Sequence, residues 1–185
     1  MKFSLILAFT ILVIIQWFIP GKLIRDKSQV LKKGVSHKLK TEPVDPSHPF
    51  KGKYINLNFA QTTFTDTIRR QLRGYDPVFV ILGIDAQGFA TVKNLSTEEP
   101  KTERVYVKAT VYNTSEAKDS ITVHFQYPFD EFYMEEFKAP QAEIIYRESN
   151  RDSLKTTYAL VKIYKGEAVI ENVFINDIPI GALIK

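Results

Sequence analysis

The chain carries no cysteine and only three histidines, so any chemistry it performs must rest on hydroxyls, carboxylates and lysines. That count excludes disulfides, thiolate catalysis and cysteine-ligated zinc. His37 lies in a basic stretch, His48 in a proline-rich one, and His124 between Val123 and Phe125 on an alternating segment. Their spacing does not reproduce a zinc-binding H-E-x-x-H, and all three are expected at the surface. No G-x-S-x-G nucleophile elbow occurs, and the eight glycines are scattered singly, which leaves no phosphate-cradling loop. The sequence therefore implies no cofactor and no metal. The densest carboxylate cluster runs from Asp130-Glu131 to Glu135-Glu136, with Glu143 further on, and Phe129, Phe132, Tyr133 and Phe137 interleave with it. Paired carboxylates could run acid–base chemistry or hold Ca²⁺, but the loop pattern of an EF-hand is missing and no glycosidase cleft is defined. An amphipathic surface loop is the expectation.

The elements that must position these residues are mostly strands. Ile55, Leu57 and Phe59 alternate with Tyr54, Asn56 and Asn58, the pattern of a half-buried strand. Val78 to Ile84 is nearly all apolar, and Asp85-Ala86-Gln87-Gly88 separates it from Phe89 to Val92 as a hairpin loop would. Arg104 to Tyr112 and Ile121 to Tyr127 alternate again, on either side of polar Asn113 to Ser120. A last hairpin is predicted over Thr157 to Tyr164 and Glu167 to Ile175, turned by Lys165-Gly166. Helix is the minority: two turns over Asp66 to Leu72, and a short helix from Pro140 through Arg147, where proline suits the first position. The fold class expected is mainly β with minor α, one antiparallel domain over residues 42–185 built as a small barrel or sandwich.

Ahead of that domain, Phe3 to Ile19 is apolar except for Ser4, Thr10 and Gln16. As a helix, residues 3–20 would span roughly 27 Å, close to the hydrocarbon thickness of a bilayer. A cleaved signal peptide begins in the same way but ends on small residues, whereas this run leaves through Gln16-Trp17-Phe18-Ile19-Pro20. Residues 1–21 are therefore expected to be an uncleaved signal-anchor. Residues 22–41 are read as a basic connector, with a short helix over Leu23 to Lys33 stopped by Gly34. Charge divides along the same line, with a net of +7 over residues 1–41 and −3 over residues 42–185. A nucleic-acid reader carries its positive field on the folded domain, so nucleic acid is not an expected partner. Lipid phosphates beside Lys22, Arg25, Lys27, Lys32 and Lys33 are, along with an ordinary solvated spacer.

The run Pro43-Val44-Asp45-Pro46 through Gly52-Lys53-Tyr54-Ile55-Asn56-Leu57-Asn58-Phe59 resembles the bacterial GDYXXLXY family, named for Gly-Asp-Tyr, two free positions, Leu, one free position and Tyr. Gly52, Tyr54, Leu57 and Phe59 stand at the matching positions, and Lys53 replaces the motif's Asp. The resemblance continues through Phe132-Tyr133, Glu136 and Glu143, and more closely through the closing segment from Tyr158 to Ile180. It implies a single-span protein of the cytoplasmic membrane with its domain on the outer side, and no reaction. The positive-inside rule applied to the cations after the span argues the reverse orientation.

A second, more limited resemblance is to the β-rich core of membrane-anchored signal peptidases. It rests on Gly52-Lys53-Tyr54, Val161-Lys162-Ile163, Gly166-Glu167 and Asn176-Asp177, and implies Lys162 as the base of a Ser–Lys dyad. The serine motif of those enzymes has no counterpart, since Val44-Asp45-Pro46-Ser47-His48-Pro49 stands in its place. The functional expectation is an extracytoplasmic, non-enzymatic accessory or binding domain for an envelope component or multi-span membrane protein. Asp45, Glu136, Glu143 and Lys162 form its candidate functional surface. A Ser–Lys hydrolase and a sensor of a small envelope ligand held in a barrel mouth are the alternatives.

Overall fold

The computed structural model describes residues 2–43, 54–66, 72–102 and 105–184, with no side-chain description for residues 2–5 and 8. Asp45, Ser47, His48, Gly52 and Lys53 lie outside the described residues, as does most of the helix expected over 66–72. Asp66 itself is the last residue of a strand.

The chain opens with a single helix, α1 (Lys2–Lys33), which runs through Pro20 without ending. The anchor and the connector helix expected as separate pieces are thus one rod. Among the described residues no helix is long and apolar enough to cross a membrane. Gly34 ends the rod by donating its N–H to the Val30 carbonyl at 2.8 Å. A Cβ at this position would stand 2.4 Å from that carbonyl oxygen and 3.1 Å from the Ile163 nitrogen, so the close approach of α1 to the sheet requires glycine.

Among the described residues twelve strands follow, arranged as two five-stranded sheets and a two-stranded ribbon. The first sheet joins β1 (Val35–Glu42), β3 (Asn58–Phe59), β10 (Thr157–Tyr164), β11 (Glu167–Ile175) and β12 (Ile178–Pro179) in the order β12-β11-β10-β1-β3. The second joins β4 (Thr63–Asp66), β5 (Pro77–Ile84), β6 (Ala90–Ser96), β7 (Tyr106–Glu116) and β8 (Ile121–Gln126) in the order β4-β8-β7-β5-β6. The ribbon pairs β2 (Tyr54–Asn56) with β9 (Glu131–Tyr133). All these pairings are antiparallel, and two isolated parallel bridges, Lys38 with Phe89 and Val107 with Gly166, tie the sheets into a nearly closed barrel. Val80, Val107, Val111, Phe125, Val161 and Val173 fill its interior, each at most 1% exposed.

Three expectations need correcting. Residues 22–41 were expected to connect, yet Val35–Glu42 is an inner strand of the first sheet. His37, Leu39 and Thr41 face inward while Lys38 and Lys40 face out, and the lysine stems disguise a period of two as a basic run. The Lys38 ammonium lies 4.8 Å from the Tyr158 ring centroid and that of Lys40 4.5 Å from Phe89. His37, expected at the surface, is therefore 6% exposed, its Nε2 has no partner among the described residues, and burial pulls its pKa down. The carboxylate-rich loop also contains strand: Glu131–Tyr133 extends the ribbon, too short to show a period.

The helix α2 (Ala139–Arg151) has Pro140 in its first turn, runs four residues past the expected end at Arg147, and packs Ala142 and Tyr146 into the core. A polar network fixes it to the sheet. The Asn150 amide donates to the Glu42 carbonyl at 2.5 Å and to the Tyr146 hydroxyl at 3.2 Å. Thr157 donates to the side-chain oxygen Oδ1 of Asn150, and Thr41 to Thr157 at 3.0 Å.

Candidate functional site

The segment from Tyr54 to Phe59 belongs to two sheets in turn, pairing with β9 through Tyr54–Asn56 and with β1 through Asn58–Phe59. Between them the Leu57 N–H donates to the Asp130 carbonyl at 2.7 Å. Leu57 and Phe59 point inward, 4% and 3% exposed. The Phe59 ring stands edge-on to Tyr127 at 5.6 Å and to Phe129 at 5.5 Å, while Tyr127 stacks on Phe129 at 5.2 Å. Tyr54 meets Tyr133 across the ribbon at 5.4 Å. Leu57 and Phe59 thus help to build a buried aromatic joint between strands, a structural use of side chains that carry no reactive group, and Tyr54 adds a partly exposed ring pair across the ribbon.

The opposite face of the same segment presents Asn56 and Asn58 to solvent. They help to line a cleft of about 500 Å³ with Thr62, Tyr112, Gln126, Tyr127 and Asp130. Tyr112 is the extra residue of a β-bulge in β7, where the register against β8 shifts between Val111 and Asn113. Bulges re-aim side chains, and this ring is 57% exposed with its centroid 5.8 Å from that of His124. The Gln126 amide donates to Asp130 at 3.4 Å. The Tyr127 hydroxyl is buried without a partner among the described residues, and burial pushes its pKa up. The cleft can offer hydrogen bonds and an aromatic face, but no lysine, arginine or histidine appears among its described lining residues.

Lys162 lies elsewhere, on the outer face of β10, where its ammonium is 3.6 Å from the Glu171 carboxylate. Ser36 faces it across the β1–β10 pairing and donates to the other oxygen of Glu171 at 3.4 Å. A base needs its nucleophile's proton in reach, whereas here both the lysine and the serine are turned to the same carboxylate. Glu136 is exposed in the turn before α2 and Glu143 is half-buried on α2. These candidates therefore sit on separate elements, and none of them lines the cleft.

A third feature was not legible before the fold was known. Glu167 at the start of β11 accepts from Lys27 of α1 and Lys108 of β7, each at 3.3 Å. Burial alone pushes the Glu167 carboxyl up, and Lys108 and Lys27 more than offset this, holding it below the usual carboxylate range. Val30, 2% exposed, seats the same end of α1 on the sheet, and Lys33 lies 6.0 Å from the Tyr164 ring centroid. No single stretch of sequence could have announced a triad drawn from positions 27, 108 and 167.

Comparison with curated proteins gave no match, and comparison with solved structures gave none. The family model of the GDYXXLXY protein matches residues 16–173, most of the length of the chain and nearly all of the barrel. The chain belongs to the GDYXXLXY protein family.

Proposed function

We propose that this chain is a single-pass protein of the cytoplasmic membrane, anchored by residues 3–20, that presents its barrel on the outer side as an accessory or binding domain. The observation that carries the reading is the division of α1 into two halves of different chemistry. From Ile6 to Ile19 its large apolar residues face solvent all round, with Phe9 66%, Trp17 76% and Phe18 68% exposed. A helix with no polar face requires an apolar surround, and a bilayer supplies one. The apolar run of the sequence also extends back to Phe3, beyond the described side chains. The other half is seated on the sheet through Val30 and the Lys27–Glu167 pair, so the rod would hold the barrel close to the membrane surface.

An accessory role is supported by the inward use of the motif positions and by the pairing of Lys162 with Glu171. The partner class is an envelope component, of which a multi-span membrane protein beside α1 is the favoured form. Its outward orientation rests on the family resemblance. The cations behind the opposite count, Lys22, Arg25, Lys27, Lys32 and Lys33, all lie on α1.

The test is protease treatment of spheroplasts and of lysed cells expressing the full chain with a C-terminal tag. Loss of the tag in spheroplasts, with the precursor at full size in the membrane fraction, is expected. Protection of the tag until lysis, or recovery of the chain outside the membrane fraction, overturns the proposal.

A further inference from the structure

We propose that the cleft on the outward face of the motif segment is a binding site for a neutral, polyhydroxylated ligand, a short oligosaccharide. The inference goes beyond the anchoring role and does not depend on which side of the membrane the barrel occupies. At about 500 Å³ the cleft falls within the range of small-ligand sites. Its chemistry is selective. Asn56, Asn58 and Gln126 each place a donor and an acceptor on one planar group, Thr62 adds a hydroxyl, and Asp130 adds a carboxylate. Vicinal hydroxyls donate and accept side by side, which amides and a carboxylate answer in pairs. A phosphate or carboxylate ligand would need cations, which the described lining lacks, and would meet Asp130 at like charge.

Three departures from local rules converge on this place. Asparagine is disfavoured within strands, yet Asn56 and Asn58 flank the point where β2 gives way to β3. The bulge in β7 turns Tyr112 out at the rim, leaving an exposed ring against which the C–H face of a sugar can lie. The buried hydroxyl of Tyr127, a residue of the cleft wall, has no partner among the described residues, whereas that of Tyr146 on α2 accepts from Asn150. Sequences that break local preference at one site without structural gain do so most often where function asks for it.

The test uses the full chain in micelles of a sugar-free detergent, with maltotriose, cellotriose and triacetylchitotriose as probes and inorganic phosphate as the anionic control. Saturation-transfer NMR detects binding, and titration calorimetry follows any positive. At least one trisaccharide is expected to bind while phosphate does not. Affinity should fall at least tenfold in Tyr112→Ala and in Asn58→Ala, both at exposed positions, with far-UV circular dichroism unchanged. A second pair, Tyr112→Phe and Asn58→Gln, keeps the ring and the amide and should retain measurable binding. Failure of all three trisaccharides at millimolar concentration overturns the proposal. So does binding that survives Tyr112→Ala and Asn58→Ala, or a cleft that takes phosphate instead. The barrel's membrane side is untouched by any of these outcomes.

Discussion

Phe59 offers the sharpest test of whether the family motif is a joint in the fold. Its ring is 3% exposed and stands edge-on to Tyr127 and Phe129 at 5.6 and 5.5 Å. Truncation to alanine in such a site costs about 3–5 kcal/mol through lost transfer energy and the cavity left behind. Two edge-on aromatic pairs, each worth about 0.5–1.5 kcal/mol beyond area, place the expectation in the upper half of that range. For a chain of this size Phe59→Ala should lower the melting temperature by roughly 10 °C or more. Phe59→Leu restores most of the volume and loses mainly the ring pairs, so about 1–2 kcal/mol is expected. Tyr54→Ala is the internal control: its pair with Tyr133 spans a two-stranded ribbon, where a cross-strand contact is worth about 0.2–1 kcal/mol. Urea unfolding of the full chain in detergent, followed by near-ultraviolet circular dichroism of the tyrosines, reads all three. The reasoning would be refuted by a Phe59→Ala loss below about 1 kcal/mol, or by equal losses in Phe59→Ala and Tyr54→Ala.

Two further predictions concern groups held against their ordinary preference. His37 is buried with its pKa lowered by desolvation, so below the unfolded value of about 6.5 the unfolded chain takes up a proton that the native one refuses. Stability should fall as pH drops from there to the lowered native pKa, by at most about 1.4 kcal/mol per pH unit, and His37→Phe should remove that slope in urea titrations at stepped pH. Gly166 turns the last hairpin at φ +79°, and a Cβ would meet the Tyr106 ring at 2.7 Å. Gly166→Ala should therefore cost about 1–3 kcal/mol by thermal unfolding, and a loss near zero would mean that the turn and Tyr106 relax freely.

The parts of the fold that were legible in sequence are those where one local rule acts alone. The hairpin of β10 and β11 follows from two alternating runs around Lys165-Gly166, both at positive φ, as a tight two-residue turn demands. The pair β5 and β6 follows likewise from Asp85-Ala86-Gln87-Gly88, where the Asp85 carboxylate accepts from the Gln87 and Phe89 N–H groups at 2.9 and 2.8 Å. Legibility failed where a side chain serves two environments. Lys38 and Lys40 look like connector residues because their charge reaches water, while their stems cover aromatic rings of the barrel. β7 runs on to Glu116 through residues that carry no apolar alternation, because pairing with β8 alone sustains it. The cleft could not be foreseen at all, since its lining comes from three separated stretches of chain between Asn56 and Asp130.

The same distinction bears on how α1 and the barrel are coupled. Lys27, Lys108 and Glu167 are each about half exposed, so each ion pair contributes only about 0.2–1 kcal/mol and weakens with salt. Burying the Val30 side chain contributes about 1.5–3 kcal/mol and is insensitive to ionic strength. Apolar seating therefore dominates the docking of α1, and the Lys27–Glu167 pair selects its rotation by fixing which helix face meets β11. Gly34 makes the arrangement stiff, since the backbone turns from helix into β1 within one residue, hard against Ile163. A barrel suspended in this way cannot swing freely on its rod. The direction in which the barrel presents its cleft is therefore fixed relative to the axis of α1.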